Sequence, residues 1–319
     1  MHFIDKILRR EEFKSRPPVL VDVGASGEIH KEWRPIARHS VCVAFEADDR
    51  ELPNVRRRRS GFRELHLVQA IVTDKRDDKA QFYLTKSPFC SSLLEPDAES
   101  LREWAFAELF EVERRIELPS VRLGDVLGRL GHSDVDWFKT DSQGIDLRLF
   151  EGLGEKIVNR VLVADFEPGI MDAYKGEDKL FSIMVFMNDH RFWMSDMRVC
   201  GSQRLSSEVL KHELGRFHAR FLPYILKTSP GWAEVSFMNE MRNPNLFTMR
   251  DFLLGWVFAV VKRQYGFAYE IASRGWDQSG ERVFVEMKHR ALARLNTAAF
   301  RIPVRYLEKM IMKISSVLQ

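Results

Sequence analysis

Cysteine is scarce in this chain: Cys42, Cys90 and Cys200 are the only three in 319 residues, odd in number and far apart. An odd, scattered set closes no disulfide framework and offers no zinc-like spacing, so the chain reads as one suited to a reducing compartment, the cytoplasm. Long apolar runs are missing as well. The longest, Phe252–Val261, falls well short of the roughly 18 residues that a membrane-crossing helix needs. Segment 1–13 carries charges where a signal peptide needs an apolar core, and reads instead as a short amphipathic helix. An excess of one charge is also lacking. The 49 Lys and Arg stand against 46 Asp and Glu, and a net +3 gives no argument for a nucleic-acid partner. Glycine is thin where a dinucleotide site would want it: Gly24 and Gly27 are three apart and no third glycine opens a following helix. The G-x-G-x-x-G pattern is therefore incomplete, which places a dehydrogenase behind the other readings.

What is present is an alternation of apolar runs with helix-like stretches. Residues 18–24, 41–47, 64–72, 135–140 and 160–167 read as strands, with helical segments between several of them. This is the pattern of an α/β, Rossmann-like fold, a mostly parallel sheet with helices on both faces. Residues 79–86 and 112–122 look like additional strands, and 97–111, rich in Glu, Leu, Ala and Phe, like an inserted helix. After a helix over 177–189, strands over 191–199 and 233–238 would bring the sheet to seven. Asn243-Pro244 disfavours helix and marks residues 241–247 as a linker. The domains expected are thus an N-terminal helix over 1–17, an α/β domain over 18–240 and a mainly helical extension over 241–319, with a turn at Arg274–Gly280. Its last part, 286–319, carries seven Lys and Arg against two Glu. Such an amphipathic basic tail suits contact with a protein or peripheral attachment to an anionic membrane, although docking on its own core explains it as well.

Two segments carry chemistry. The run from Val19 ends in Asp22-Val23-Gly24-Ala25-Ser26-Gly27, a strand entering a tight glycine turn, where an open parallel sheet binds its ligand. Glu46, at the end of the second strand and 24 residues after Asp22, is suited to hold both hydroxyls of a ribose. A nucleoside ligand without a pyrophosphate needs fewer glycines, and S-adenosylmethionine is the obvious candidate. The second segment, Val135–Asp146, is an apolar strand that ends in Lys139, Asp141, Gln143, Gly144 and Asp146. Lys139 and Asp141 are two apart and so share a face; a buried ammonium there needs a carboxylate, from Asp22, Asp165 or Glu167, and reads as structural support.

Together Val21–Gly27, Ala44–Ala47, Gln69–Asp74, Ser91–Leu93 and Trp137–Asp146 resemble the FkbM family of S-adenosylmethionine-dependent methyltransferases, over about residues 18–200. The resemblance implies a class I methyltransferase fold with a seven-stranded sheet. It also implies methyl transfer to a hydroxyl of a glycan or another hydroxylated metabolite. Carried over by position, Asp22, Gly24 and Ala25, with Gly27 in the same loop, would hold the methionine end, Glu46 the ribose, Ala70 and Ile71 the adenine, and Asp141 would face the methyl group. The family usually has a carboxylate where this chain has Gln143, which opens the alternative of a non-catalytic cofactor-binding or assembly subunit.

For the chemistry itself, Asp141 or Glu167 is the candidate general base, with His30 and His190 behind them. The run Arg56–Arg59, with Arg63, is either a solvated helix end or a recruiting patch for an anionic acceptor, such as a phosphorylated or lipid-linked glycan. The loop Phe89–Pro96 brings Ser91 and Ser92 towards the cofactor, and Cys90, with no basic neighbour, reads as an inert thiol. No motif suggests a metal.

Overall fold

The computed structural model describes residues 2–25, 29–48, 50, 61–213 and 227–299. Ten strands lie among them: β1 Val19–Val23, β2 Val41–Phe45, β3 Glu64–Val68, β4 Ile71–Val72, β5 Lys79–Thr85, β6 Val112–Val121, β7 Trp137–Thr140, β8 Val163–Phe166, β9 Phe192–Ser202 and β10 Ser229–Asn239. The main sheet has seven strands in the order β3-β2-β1-β7-β8-β10-β9. The pairings from β3 through β8 are parallel, while β10 runs antiparallel to both β8 and β9. Val-Leu-Val-Asp-Val in β1 and Val-Cys-Val-Ala-Phe in β2 are buried at every position, as central parallel strands covered on both faces must be.

One face carries the larger core. Val21, Val43, Phe138, Ala164, Phe166 and Phe237 point into it, and Phe150, Ile183 and Met187 from the covering helices fill it. Phe150 packs on Phe138 and Phe166 with ring centroids 5.2 and 5.4 Å apart, so helix Asp146–Glu151 is locked onto the strands that end at the candidate site. On the opposite face Trp33 meets Trp137 edge-on at 6.0 Å. At the N-terminus helix His2–Leu8 buries Phe3, Ile4, Ile7 and Leu8, an i, i+3, i+4 stripe.

The segment expected as one strand over 64–72 is divided between two sheets. β3 ends at Val68, and after Gln69 and Ala70 the chain enters β4, which pairs with β6 in a second, three-stranded sheet of order β4-β6-β5. The inserted helix expected over 97–111 is a short helix Ala98–Leu101 and a 3₁₀ turn Ala107–Phe110. The intervening residues break away because Trp104 stacks on Phe106 at 5.4 Å and Phe106 meets Trp232 at 5.9 Å. Tertiary ring packing there overrides helix propensity.

By its internal contacts the chain divides into two compact units, Met1–Glu240 and Met241–Gln319. The second is helical over its described length: Met249–Val261, Tyr265–Ser279 and Arg282–Ala299. Thr248 and Asp251 form a capping box at the start of the first of these. Residues 274–280 are not a turn, since the second helix runs on to Ser279 and only Gly280, at φ +66°, leaves it. Gly275 is there for packing: a Cβ on it would stand 2.3 Å from the Phe284 ring. Of the basic tail, 300–319 lies outside the described residues, as does Arg56–Arg59. Among the described residues no helix is long and apolar enough to cross a membrane.

Candidate active site

The carboxyl ends of β1, β2 and β7 are tied together by backbone. Gly24 N and Ala25 N both donate to Phe45 O at 3.1 Å, and Asp141 N donates to Val23 O at 3.0 Å. Gly24 has φ +73°, and a Cβ on it would lie 2.2 Å from the carbonyl oxygen of Asp141, so the turn needs glycine for both conformation and room. Beneath this turn Asp22, fully buried, meets Lys139 Nζ at 3.1 Å and accepts from His30 N at 3.0 Å. Lys139 also donates to Gly24 O at 3.1 Å. Burial alone would lower the Lys139 pKa, but Asp22 and Asp141 outweigh it and hold the ammonium charged.

Above the turn lies an open cleft. It brings together Gly24, Glu46, Ala70, Ile71 and Asp141 of the residues expected from sequence. Asp22, Ala25 and Lys139 stand behind its wall rather than on it, and Gly27 lies outside the described residues. Glu46 is almost completely buried and its Oε1 accepts from Asp48 N at 2.8 Å. Asp48, which sequence reasoning passed over although it follows Glu46 by two, also lines the cleft. It pairs with Arg50 at 2.6 Å, and Arg50 in turn donates to Ser91 Oγ at 3.0 Å and Thr85 O at 3.1 Å, binding the 85–91 segment to the end of β2.

A second, roomier cavity adjoins the first, and Phe89, Asp141 and Gln143 line both. Its walls include Phe106, Phe110, Tyr174 and Trp232, with Glu167 and Glu177 among them. Asp141 thus sits at the partition. Burial raises its pKa to about 6, against the lowering pull of Lys139. Gln143 Nε2 donates to the Asp141 carboxylate, and Gln143 Oε1 accepts from Tyr174 OH at 2.8 Å. Gln143 itself has φ +58°, an uncommon backbone state for a side-chain-bearing residue, fixed by Ser92 Oγ donating to its carbonyl at 2.6 Å. Glu167, at the end of β8, is raised to about 9, first by burial and then by the neighbouring Asp141. Asp146 is not at the cavity surface. Its Oδ1 accepts from Thr140 Oγ1 at 2.9 Å and Ser142 N at 2.8 Å and also from Ser142 Oγ, while Oδ2 accepts from Glu167 N at 3.1 Å, so it staples the β7 loop to the end of β8.

The remaining candidates lie elsewhere. His30 Nε2 is 3.5 Å from Asp165 and 3.4 Å from Glu32, and His190 Nδ1 faces Phe186 O at 2.8 Å; neither lines either of these two cavities. Cys90 is raised to about 11 by burial, which leaves a thiol and no thiolate at neutral pH. The aromatic wall was missed from sequence because Phe106, Phe110, Tyr174 and Trp232 come from three distant segments and share no motif.

The donor set of the cleft identifies its ligand class. Among its described lining residues the charged groups are Glu46, Asp48 and Asp141, with no Lys or Arg to meet a phosphate. Ile71, Val72, Phe82 and Leu93 give an apolar slot. Carboxylates for a ribose diol and a cationic amino acid moiety, beside an apolar slot for a base, fit S-adenosylmethionine and not a dinucleotide. With the strand order β3-β2-β1-β7-β8-β10-β9 and its single antiparallel insertion, this defines a class I methyltransferase that uses S-adenosylmethionine. The sequence pattern of the Methyltransferase FkbM domain matches residues 24–203, more than half of the 319, and the chain belongs to that family.

No curated protein matches the chain significantly. Among solved structures it is similar to precorrin-6y C5,15-methyltransferase from Geobacter metallireducens, at 12% identity and TM-score 0.32, covering 75% of this chain and 86% of that one. It is also similar to magnesium protoporphyrin IX methyltransferase from Synechocystis, solved with bound S-adenosylmethionine, at 6% identity and TM-score 0.31, covering 75% and 78%. A third, geranyl diphosphate C-methyltransferase from Streptomyces coelicolor, gives 10% identity and TM-score 0.30, covering 75% and 78%. Likenesses this loose carry no argument about substrate; the assignment rests on the family match and the site.

Proposed function

We propose that the protein is an O-methyltransferase acting on a hydroxyl of a glycan or other hydroxylated metabolite, with Asp141 as its general base. The observation that carries this reading is the position of Asp141, a residue that lines both the cofactor cleft and the larger cavity. S-adenosylmethionine supplies a methyl group on a sulfonium centre. The protein's part is to seat the acceptor oxygen in line with it and to take the hydroxyl proton on Asp141, whose pKa near 6 leaves it ionised and still basic at neutral pH. The acceptor oxygen gains the methyl carbon as the carbon–sulfur bond breaks, its electron pair staying on sulfur in S-adenosylhomocysteine.

Within this reading Glu46 holds the ribose, Ala70 and Ile71 flank the adenine, and the Gly24–Ala25 turn faces the methionine end. Asp22 acts through Lys139, which it anchors at 3.1 Å, and so positions the turn and Asp141 rather than touching the ligand. Glu167, protonated at neutral pH by virtue of a pKa near 9, is an acceptor contact rather than the base. Gln143 supports catalysis as well as a carboxylate would, because an amide donor leaves Asp141 charged without adding a competing anion. Three cysteines without a disulfide fit a cytoplasmic setting.

The test is methyl transfer from labelled S-adenosylmethionine to a panel of hydroxylated acceptors. Transfer that is lost in Asp141→Asn while calorimetric cofactor binding persists would support the proposal. Cofactor binding without transfer to any acceptor would favour the non-catalytic alternative, and no cofactor binding would sink both.

A further inference from the structure

The larger cavity makes a statement about charge. Three carboxyl groups line it, Asp141, Glu167 and Glu177, and among its described lining residues there is no Lys or Arg. Two of the three are compensated. Asp141 has Lys139 and Gln143, and Glu177 pairs with Lys179 at 2.7 Å while accepting from Ala173 N and Tyr174 N. Glu167 forms no ion pair of its own: among the described residues no Lys, Arg or His lies within ion-pair distance of it, and Lys139, which acts on it from farther off, is already held by Asp22. Aromatic rings share its cavity wall. Phe106 meets Trp232 edge-on at 5.9 Å, Phe110 is 5.8 Å from Phe106, and Tyr174 is 5.5 Å from Phe110.

Resting on the O-methyl-transfer reading of this same site, the geometry points to an acceptor that carries an ammonium group, seated between Glu167 and the rings of Phe106, Phe110 and Trp232, with its hydroxyl beside Asp141. A carboxylate with an aromatic wall and no competing cation is the environment that favours an organic ammonium, through one charge-assisted hydrogen bond and the negative ring faces. The raised pKa of Glu167 agrees with this, since burial and the neighbouring Asp141 raise it more than Lys139 lowers it, and an arriving ammonium would ionise it. The same walls disfavour phosphorylated or sulfated acceptors, whose charge would find no Lys or Arg among the described lining residues and would sit beside the Asp141 carboxylate. They also settle which atom is methylated: an amine held as ammonium has no lone pair to attack with, so the hydroxyl next to Asp141 is the nucleophile.

The experiment uses the full chain, labelled S-adenosylmethionine and matched acceptors: amino sugars with a free hydroxyl, their N-acetyl derivatives and their O-sulfated derivatives. The expected result is a kcat/KM for the amine at least about tenfold above that for its N-acetyl partner, with the sulfated compounds poorest. In Glu167→Gln that preference should shrink to below about threefold through a higher KM for the amine, and Glu167→Asp should restore part of it. Melting and calorimetric cofactor binding check that both variants are folded. Equal or better use of the N-acetyl or sulfated acceptors overturns the inference while leaving methyl transfer standing. Cofactor binding with transfer to none of the panel overturns the inference together with the reading beneath it.

Discussion

At the scale of single residues, the chemistry depends on two carboxyl groups that burial pushes in one direction to different extents. Asp141, near 6, must lose its proton before it can accept one, so kcat/KM should rise with pH through about 6 and then level. Replacing it with Asn should remove that limb and lower the rate by about a hundredfold or more, while calorimetry shows cofactor binding retained. Glu167 gives a stability prediction of defined sign. Its carboxyl rises from an ordinary 4.5 to about 9 in the folded chain, so over that interval the folded state keeps a proton that the unfolded state has released. That contribution is complete below pH 4.5 and is lost as pH rises through about 9. Thermal melting of Glu167→Gln should therefore fall less steeply across pH 4.5–9 than that of the parent, and parallel curves would refute the assignment. Lys139 and Asp141 were legible in sequence because period-two spacing places them on one face of a strand. Their neighbours in the second cavity were not, since pairing Tyr174 with Gln143 needs the fold.

At the scale of elements, Asp146 is the joint between the β7 loop and the end of β8, accepting from Thr140, Ser142 and Glu167. Removing its carboxylate strands buried donors at about 1–3 kcal/mol each. Asp146→Ala should therefore destabilise by about 3 kcal/mol or more, a melting shift on the order of 10 °C, and should weaken cofactor binding because Asp141 loses its fixed loop. An unchanged melt would show that the joint is dispensable. The parallel strands were readable because each is a short, wholly apolar run, β1 and β2 above all. The second sheet was not, because β4 is two residues long and exists only by pairing with Ser120 and Val121, some fifty residues on. Gly275 misled for a related reason. Glycine in a sequence signals a turn, whereas here the missing side chain makes room for Phe284, a contact that no local pattern announces.

At the scale of the molecule, every residue named at either cavity, from Gly24 to Trp232, falls within Met1–Glu240, the first of the two compact units. The second unit has its own apolar content: Phe252, Leu253, Leu254, Trp256, Val257 and Phe258 follow almost without a break and are all buried, and this helix and Arg282–Ala299 both pack with helix Tyr265–Ser279. Residues 241–247, which open the second unit, form neither helix nor strand. A unit that holds its own core and the whole site should fold and bind without the other. The prediction is that a chain ending at Glu240 melts in one cooperative transition and binds S-adenosylmethionine with a Kd within about threefold of the parent, a difference of about 0.7 kcal/mol. Calorimetry and thermal melting of the two chains side by side decide it. A shortened chain that is folded but binds tenfold more weakly would show that the helical unit supports the site, and one that fails to fold would show that the two units share their stability.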